Sequence, residues 1–206
     1  LKQLSRLKAH AKLLARYFGH LESLATSEAQ GETKTAMDGV VTALKEVPWT
    51  QSKSQSKAIS ALPPLVELAV DMKIRAALKE EFNRNKDTIR RELQIQEVLL
   101  QELTGQISHA MKQQMNPKEQ QLVMDPITGS SPLKDAGKWV STRRDIVHLS
   151  AKLEKIHEET DSATNAAREM RKAFDALLSG EDVMCRINDI IADIESILAV
   201  VDTIKS

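Results

Sequence analysis

Residues 139–178 read WVSTRRDIVHLSAKLEKIHEETDSATNAAREMRKAFDALL, a stretch of 40 residues without glycine or proline. A stripe of mostly apolar or small residues runs through it, with alternating spacings of three and four. Its members are Trp139, Thr142, Ile146, Leu149, Leu153, Ile156, Thr160, Ala163, Ala167, Met170, Phe174 and Leu177. This spacing predicts one uninterrupted α-helix that buries a single face against other helices.

The same spacing recurs on both sides of this stretch. It begins at Leu4 in the first 26 residues, covers the second half of residues 65–115 with Gln96 as its one polar member, and follows Val183 to the end. A shorter helix is predicted over residues 33–47. Gly180, in the sequence SGED, suits the end of the long helix. The sequence therefore predicts an all-α protein.

Short connections require consecutive helices to return antiparallel. We therefore expect an elongated antiparallel helical bundle, in which a four-helix zone continues into a projecting two-helix hairpin. We expect a single domain over 1–206, with loops at about 47–57 and 116–137. The stripes on the hairpin are narrow and can pair between chains, which makes a homodimer one of our predictions.

Composition limits the classes of function. The 29 basic and 29 acidic side chains cancel, so no net field attracts a polyanion, and we predict no nucleic-acid partner. No run approaches the about 18 apolar residues of a membrane span. Cys185 is the only cysteine, which excludes an internal disulfide. Aromatic residues make up 3%, so the core is expected to be mainly aliphatic.

No motif points to catalysis or to a cofactor. Glu154 and His157 have the spacing of di-iron bundle ligands, but the nearest second copy has Asp145 in place of glutamate before His148. The first pair also flanks the apolar stripe, so we interpret it as a solvated edge. We predict no catalytic, cofactor-binding or metal-binding residues, and hence no enzyme.

The predicted loop at 116–137 carries an apolar patch in the sequence LVMDPI. Its members are Leu122, Val123, Met124 and Ile127. Loops this long are uncommon inside compact domains and are often functional. Two interpretations stay open: the four side chains fold back to close the end of the bundle, which we favour, or they contact a partner or a membrane surface.

Residues 13–47 read LLARYFGHLESLATSEAQGETKTAMDGVVTALKEV, a helix with Tyr-Phe, leucine-alanine repeats and a small polar break. This stretch resembles exported helical lipoproteins of bacteria that have no assigned function. The resemblance implies a location in the cell envelope or periplasm. It also implies a lipid-bearing cysteine upstream of Leu1, which would keep the chain near a membrane.

Three hypotheses on function follow from these patterns. The first is a non-enzymatic structural or interaction bundle, a cell-envelope lipoprotein domain that presents the hairpin tip to a protein partner. The second is a membrane-active helical protein that unrolls its bundle to insert. The third is a bundle that binds a ligand or a metal ion.

Overall fold

The structure is a computed structural model, and it describes residues 2–26, 30–49, 53–63, 76–110, 113, 115–129, 135–180 and 182–205. The prediction of an all-α helical bundle is confirmed, because these residues form helices and contain no strand. The elements are α1 (Lys2–Thr26), α2 (Gln30–Glu46), α3 (Lys53–Ser60), α4 (Ala76–Ala110), α5 (Asn116–Glu119), a π-helical turn (Gln120–Met124), α6 (Asp125–Thr128), α7 (Ala136–Leu178) and α8 (Val183–Lys205).

The contacts divide the chain into two compact units, which we describe separately. The first unit comprises Leu1–Leu100 and Ser162–Ser206, and the second comprises Gln101–Asp161. A single domain over 1–206, with a four-helix zone and a projecting hairpin, stays a prediction.

Aromatic rings meet at the core of the first unit. Phe174 of α7 lies edge-on to Phe18 of α1, with ring centroids 5.8 Å apart and planes at 81°, and its centroid is 6.0 Å from that of Phe82 in α4. All three side chains are fully buried. Each such pair stabilises the fold by about 0.5–1.5 kcal/mol beyond the area that it buries. Three helices that are distant in sequence are therefore joined at one point.

Aliphatic packing surrounds these rings, and α1 packs against both α2 and α8. The fully buried stripe of α8 consists of Ile187, Ile190, Ile194, Ile197 and Val201, as its three-four spacing predicted. Lys8 of α1 also forms an ion pair with Asp202 of α8. The broad apolar faces of the first and last helices thus contact each other.

Ion pairs define helix directions within the first unit. Arg90 Nε lies 2.7 Å from Asp175 Oδ1, and Glu97 Oε2 lies 2.8 Å from Arg171 Nε. Residue numbers rise along α4 as they fall along α7, so the two helices are antiparallel here. By the same argument α2 and α4 are parallel, because Lys34 pairs with Glu80 and Asp38 with Arg84.

The turn between α7 and α8 follows from one glycine. Gly180 has a φ of 91°, in the left-handed region that favours glycine, and this conformation ends α7. Asp182 Oδ1 then accepts a hydrogen bond from the backbone N–H of Cys185 at 3.2 Å. Asp182 therefore caps the first turn of α8.

The predicted loop at 47–57 is partly wrong, because α3 begins at Lys53. Polar composition concealed this helix, whose sequence KSQSKAIS contains neither glycine nor proline. Ala58 and Ile59 are partly buried, and the carbonyl oxygen of Ile59 accepts a hydrogen bond from Arg91 Nη2 at 3.2 Å. Contact with α4 stabilises a helix that its own sequence pattern does not indicate. The predicted helix start at residue 65 lies outside the described residues.

Candidate functional site

The candidate site is the linking segment, which we define as residues 115–129. The sequence predicted a loop over 116–137, but 116–128 are helical throughout and α7 already begins at Ala136. Pro117 and Pro126 lie in the first turns of α5 and α6. A proline is tolerated in the first turn of a helix. The helix that contains Pro126 directly follows the π-helical turn, so the two prolines lie within helical backbone and not in a loop.

Local hydrogen bonds hold the linking segment in shape. Gln120 Nε2 donates to Asp125 Oδ1 at 2.7 Å, and Thr128 Oγ1 donates to the carbonyl oxygen of Met124 at 3.0 Å. The N–H of Gly129 donates to the carbonyl oxygen of Asp125 at 2.7 Å. A Cβ atom at Gly129 would lie 2.5 Å from that oxygen, so this close approach requires glycine. Between α5 and α6, the π-helical turn is of a kind often found at functional sites.

One side of the segment is anchored to α7. Val123 is 4% exposed and packs with Met115 and Ile146, with Trp139 and Leu153 against them. The indole Nε1 of Trp139 donates to the carbonyl oxygen of Val123 at 3.0 Å. The guanidinium carbon of Arg143, an exposed side chain, lies 5.5 Å from the centre of the same indole ring. This small core fixes the segment within the second unit.

The four predicted contact residues divide into two groups. Val123 is buried in the small core, as the packing interpretation requires. Leu122, Met124 and Ile127 are exposed by 45%, 44% and 59%. Packing against α7 therefore accounts for one of the four, and contact with a partner stays a prediction for the other three.

Exposed large apolar side chains are confined to the second unit in the part of the chain that the structure describes. They are Leu122, Met124, Ile127, Val140, Val147 and Leu149. Leu149 was expected in the buried stripe of α7 but is 44% exposed. Its neighbours on the stripe, Ile146 and Leu153, are buried or partly buried in the small core, so the stripe is covered unevenly.

The histidine pairs do not assemble a metal site. His157 Nδ1 lies 3.4 Å from Ser108 Oγ, and its Nε2 lies 3.9 Å from Asp161 Oδ2. Glu154 and His148 are exposed. Among the described residues, no group of three or more His, Cys, Asp or Glu side chains could hold a metal ion.

The structure contains a buried polar cluster that was not predicted from the sequence. His10 stacks on Trp49 with centroids 3.4 Å apart, its Nδ1 lies 3.1 Å from Glu92 Oε2, and its Nε2 lies 3.2 Å from the carbonyl oxygen of Val47. Trp49 Nε1 donates to the same Glu92 oxygen at 2.6 Å. The sequence indicated the burial of His10 only through its position, since it lies three residues after Leu7 and four before Leu14 on the apolar stripe. The cluster fastens residues 47–49 to α1 and α4.

A second buried carboxylate belongs to Glu81. It accepts hydrogen bonds from Arg84 Nη2 and from Asn85 Nδ2, each at 2.7 Å. Burial raises the pKa of Tyr17 well above its usual value, and the negative charge of Glu81 raises it further. The phenol therefore stays protonated. These contacts satisfy the carboxylate from within the bundle and leave a structural role as its simplest interpretation.

A groove of about 470 Å³ lies between α7 and α8 in the first unit. It is lined by Glu169, Lys172, Ala173, Ala176, Arg186, Asp189, Ala192 and Asp193. Lys172 pairs with Glu169 and Arg186 with Asp189. Partial burial raises the pKa of Asp193 to about 6, and the nearby carboxylates of Glu169 and Asp189 add to the shift.

This shift predicts a pH-dependent effect of Asp193→Asn. The carboxyl titrates near 4 when unfolded, so folding takes up a proton between about pH 4 and pH 6. Ionised Asp193 therefore destabilises the fold above about pH 6 but not below pH 4. We expect the variant to be more stable than wild type at pH 7, by less than about 1 kcal/mol because solvent screens the charge, and equally stable at pH 4.

Urea unfolding at pH 4 and pH 7 measures the difference. Repeating the pH 7 measurement in high salt is the control. Salt should reduce the gain in stability of Asp193→Asn, because it screens the repulsion of Asp193 by Glu169 and Asp189. An equal gain at both pH values would contradict the prediction.

Comparison with known proteins adds no relative: no family model matches the chain, and neither a curated protein nor a solved structure is significantly similar to it. Within the described residues, no helix is both long enough and apolar enough to cross a membrane.

Proposed function

We propose that this chain is a non-enzymatic interaction module that binds a protein partner through the exposed apolar face of its linking segment. The observation that carries the proposal is the exposure of Leu122, Met124 and Ile127 on a segment that Val123 and Trp139 anchor to α7. Exposed apolar side chains grouped on one short segment are a feature of protein–protein contact sites.

The anchoring strengthens this proposal. A surface that is already ordered loses little conformational entropy on binding, so more of the contact free energy appears as affinity. Methionine adds adaptability, because its unbranched thioether can follow an irregular partner surface. Leu122, Met124 and Ile127 thus provide an apolar contact surface, and hydrogen bonds hold the backbone that carries it.

The polar clusters favour binding over catalysis. Glu81 and Glu92 are both occupied by hydrogen-bond donors from the chain itself, which leaves neither positioned for a substrate. Location in the bacterial cell envelope, with a lipid anchor upstream of Leu1, belongs to the proposal and rests on the resemblance of residues 13–47. The membrane-active and ligand-binding hypotheses stay predictions that no contact described above favours.

Site-specific photo-crosslinking tests the proposal. A benzophenone side chain at Ile127 should give a discrete adduct in an extract of the cells that make the protein. Leu122→Ser combined with Met124→Ser, with the crosslinker kept at Ile127, should reduce the adduct about tenfold or more, as removal of central apolar contacts does. Substitution is preferable to deletion of 122–127, because deletion would also remove the buried Val123.

Leu149→Ser is the matched control, since Leu149 is equally exposed but lies outside the linking segment. It should leave the adduct unchanged. Both variants should unfold within about 0.5 kcal/mol of wild type, as surface substitutions usually do. An adduct that persists in the Leu122/Met124 variant, or one that Leu149→Ser removes equally, would contradict the proposal.

A further inference from the structure

A second series with three-four spacing runs along α7, on a different face from Ile146 and Leu153. Its members are Val140, Arg144, Val147, Ala151, Glu154 and Glu158, and all six side chains are exposed. Val140 and Val147 are exposed by 48% and 54%. Residues with this spacing lie along one face of a helix, and among the described residues of the second unit none covers this face.

The series is self-complementary in charge when two copies of it run antiparallel. Arginine occupies the N-terminal half and glutamates the C-terminal half, with Val147 and Ala151 at the centre. Two copies laid antiparallel about an axis near Leu149 place Arg144 opposite Glu154, Val147 opposite Ala151, and Val140 opposite Glu158. Each opposition occurs twice, as a two-fold interface requires. Parallel copies would instead place Arg144 opposite Arg144.

The charges involved have no ion-pair partner within the described residues. Neither Arg144 nor Glu154 nor Glu158 forms a salt bridge, although Lys155 and His157 between them pair with Glu159 and Asp161. One binding partner could therefore contact both the apolar residues and the charged residues of this face.

We propose that this face binds a second copy of the chain, forming an antiparallel helix pair with two Arg144–Glu154 ion pairs around a Val147–Ala151 centre. The inference is independent of the proposed function, because it uses none of the exposed residues of the linking segment. The face is about 27 Å long, from 18 steps of 1.5 Å. An interface this small gives a weak dimer that concentration favours and salt dissociates.

Sedimentation of charge variants of the full chain tests the pairing. Wild type should form dimers as its concentration rises to about 100 µM, a range typical of weak contacts. In the Arg144→Glu variant a glutamate faces Glu154 at both ends of the pair, so the dimer should be about tenfold or more weaker. In the Glu154→Arg variant an arginine faces Arg144 at both ends, and the dimer should be weakened to the same extent. An equimolar mixture of the two variants should dimerise at least as well as wild type, because every facing pair is then opposite in charge.

This mixture also controls for folding, because a misfolded variant could not regain the dimer. Wild type that stays monomeric throughout, or an Arg144→Glu variant that dimerises like wild type, would overturn the proposal.

Disulfide crosslinking tests the register. Val147→Cys and Ala151→Cys are made separately in a Cys185→Ser background, mixed and oxidised. Antiparallel pairing predicts that the mixed dimer crosslinks in excess over both homodimers. Preferred crosslinking of Val147→Cys to itself would indicate parallel pairing and overturn the proposed geometry.

Discussion

Replacing Phe174 by alanine should lower the free energy of unfolding by about 3–5 kcal/mol, the range for large buried aromatic residues. Phe174 is fully buried and contacts the rings of Phe18 and Phe82, so its removal disrupts the point where α1, α4 and α7 meet. Few other aromatic residues can contribute to the core, since the chain has 3 phenylalanines and 1 tyrosine. Aliphatic neighbours can close the resulting cavity only in part.

Urea unfolding followed by circular dichroism measures this loss. Phe174→Leu is the matched variant, because it retains most of the volume and should cost clearly less than alanine. A loss below about 1 kcal/mol for Phe174→Ala would mean that the three rings do not form a packed cluster.

Replacing Gln96 by methionine should stabilise the protein by about 1–3 kcal/mol, the cost of leaving buried polar groups without partners. Gln96 is fully buried on α4, and neither its Nε2 nor its Oε1 has a hydrogen-bond partner among the described residues. Methionine is similar in length and flexibility and has no amide to desolvate. Because a chain of this size gains about 2–4 °C per kcal/mol, thermal unfolding should show the effect directly.

Gln101→Met provides the control on the same helix. Gln101 is exposed, so its replacement should change stability by no more than about 0.5 kcal/mol. If Gln96→Met destabilised the chain instead, the amide of Gln96 would have to be satisfied in solution, and our account of this position would be wrong.

The sequence was sufficient to predict the main helices because their apolar positions recur every three or four residues. The stripe residues of α8 are buried as this spacing requires, namely Ile187, Ile190, Ile194, Ile197 and Val201. The prediction failed at Leu149, which continues the stripe of α7 but is exposed. Periodicity reports which side chains share a face, and only the neighbouring helices decide whether that face is covered.

The candidate site was only partly predictable for a related reason. Leu122, Val123, Met124 and Ile127 were identified as one patch, but only the contacts of Val123 with Met115 and Ile146 separate it from the others. The helices of the linking segment were missed because proline and glycine were interpreted as loop residues. The His10–Glu92–Trp49 cluster was missed because its members come from three distant segments.

The chain contains 2 tryptophans, and the two units hold one each. Trp49 is stacked on His10 in the first unit, and Trp139 lies against Val123 and Arg143 in the second. Trp139→Phe therefore leaves a tryptophan only among residues 1–100 and 162–206, and Trp49→Phe leaves one only among residues 101–161. Emission from the two single-tryptophan chains during denaturation would reveal whether both parts lose their structure in one cooperative transition or in succession.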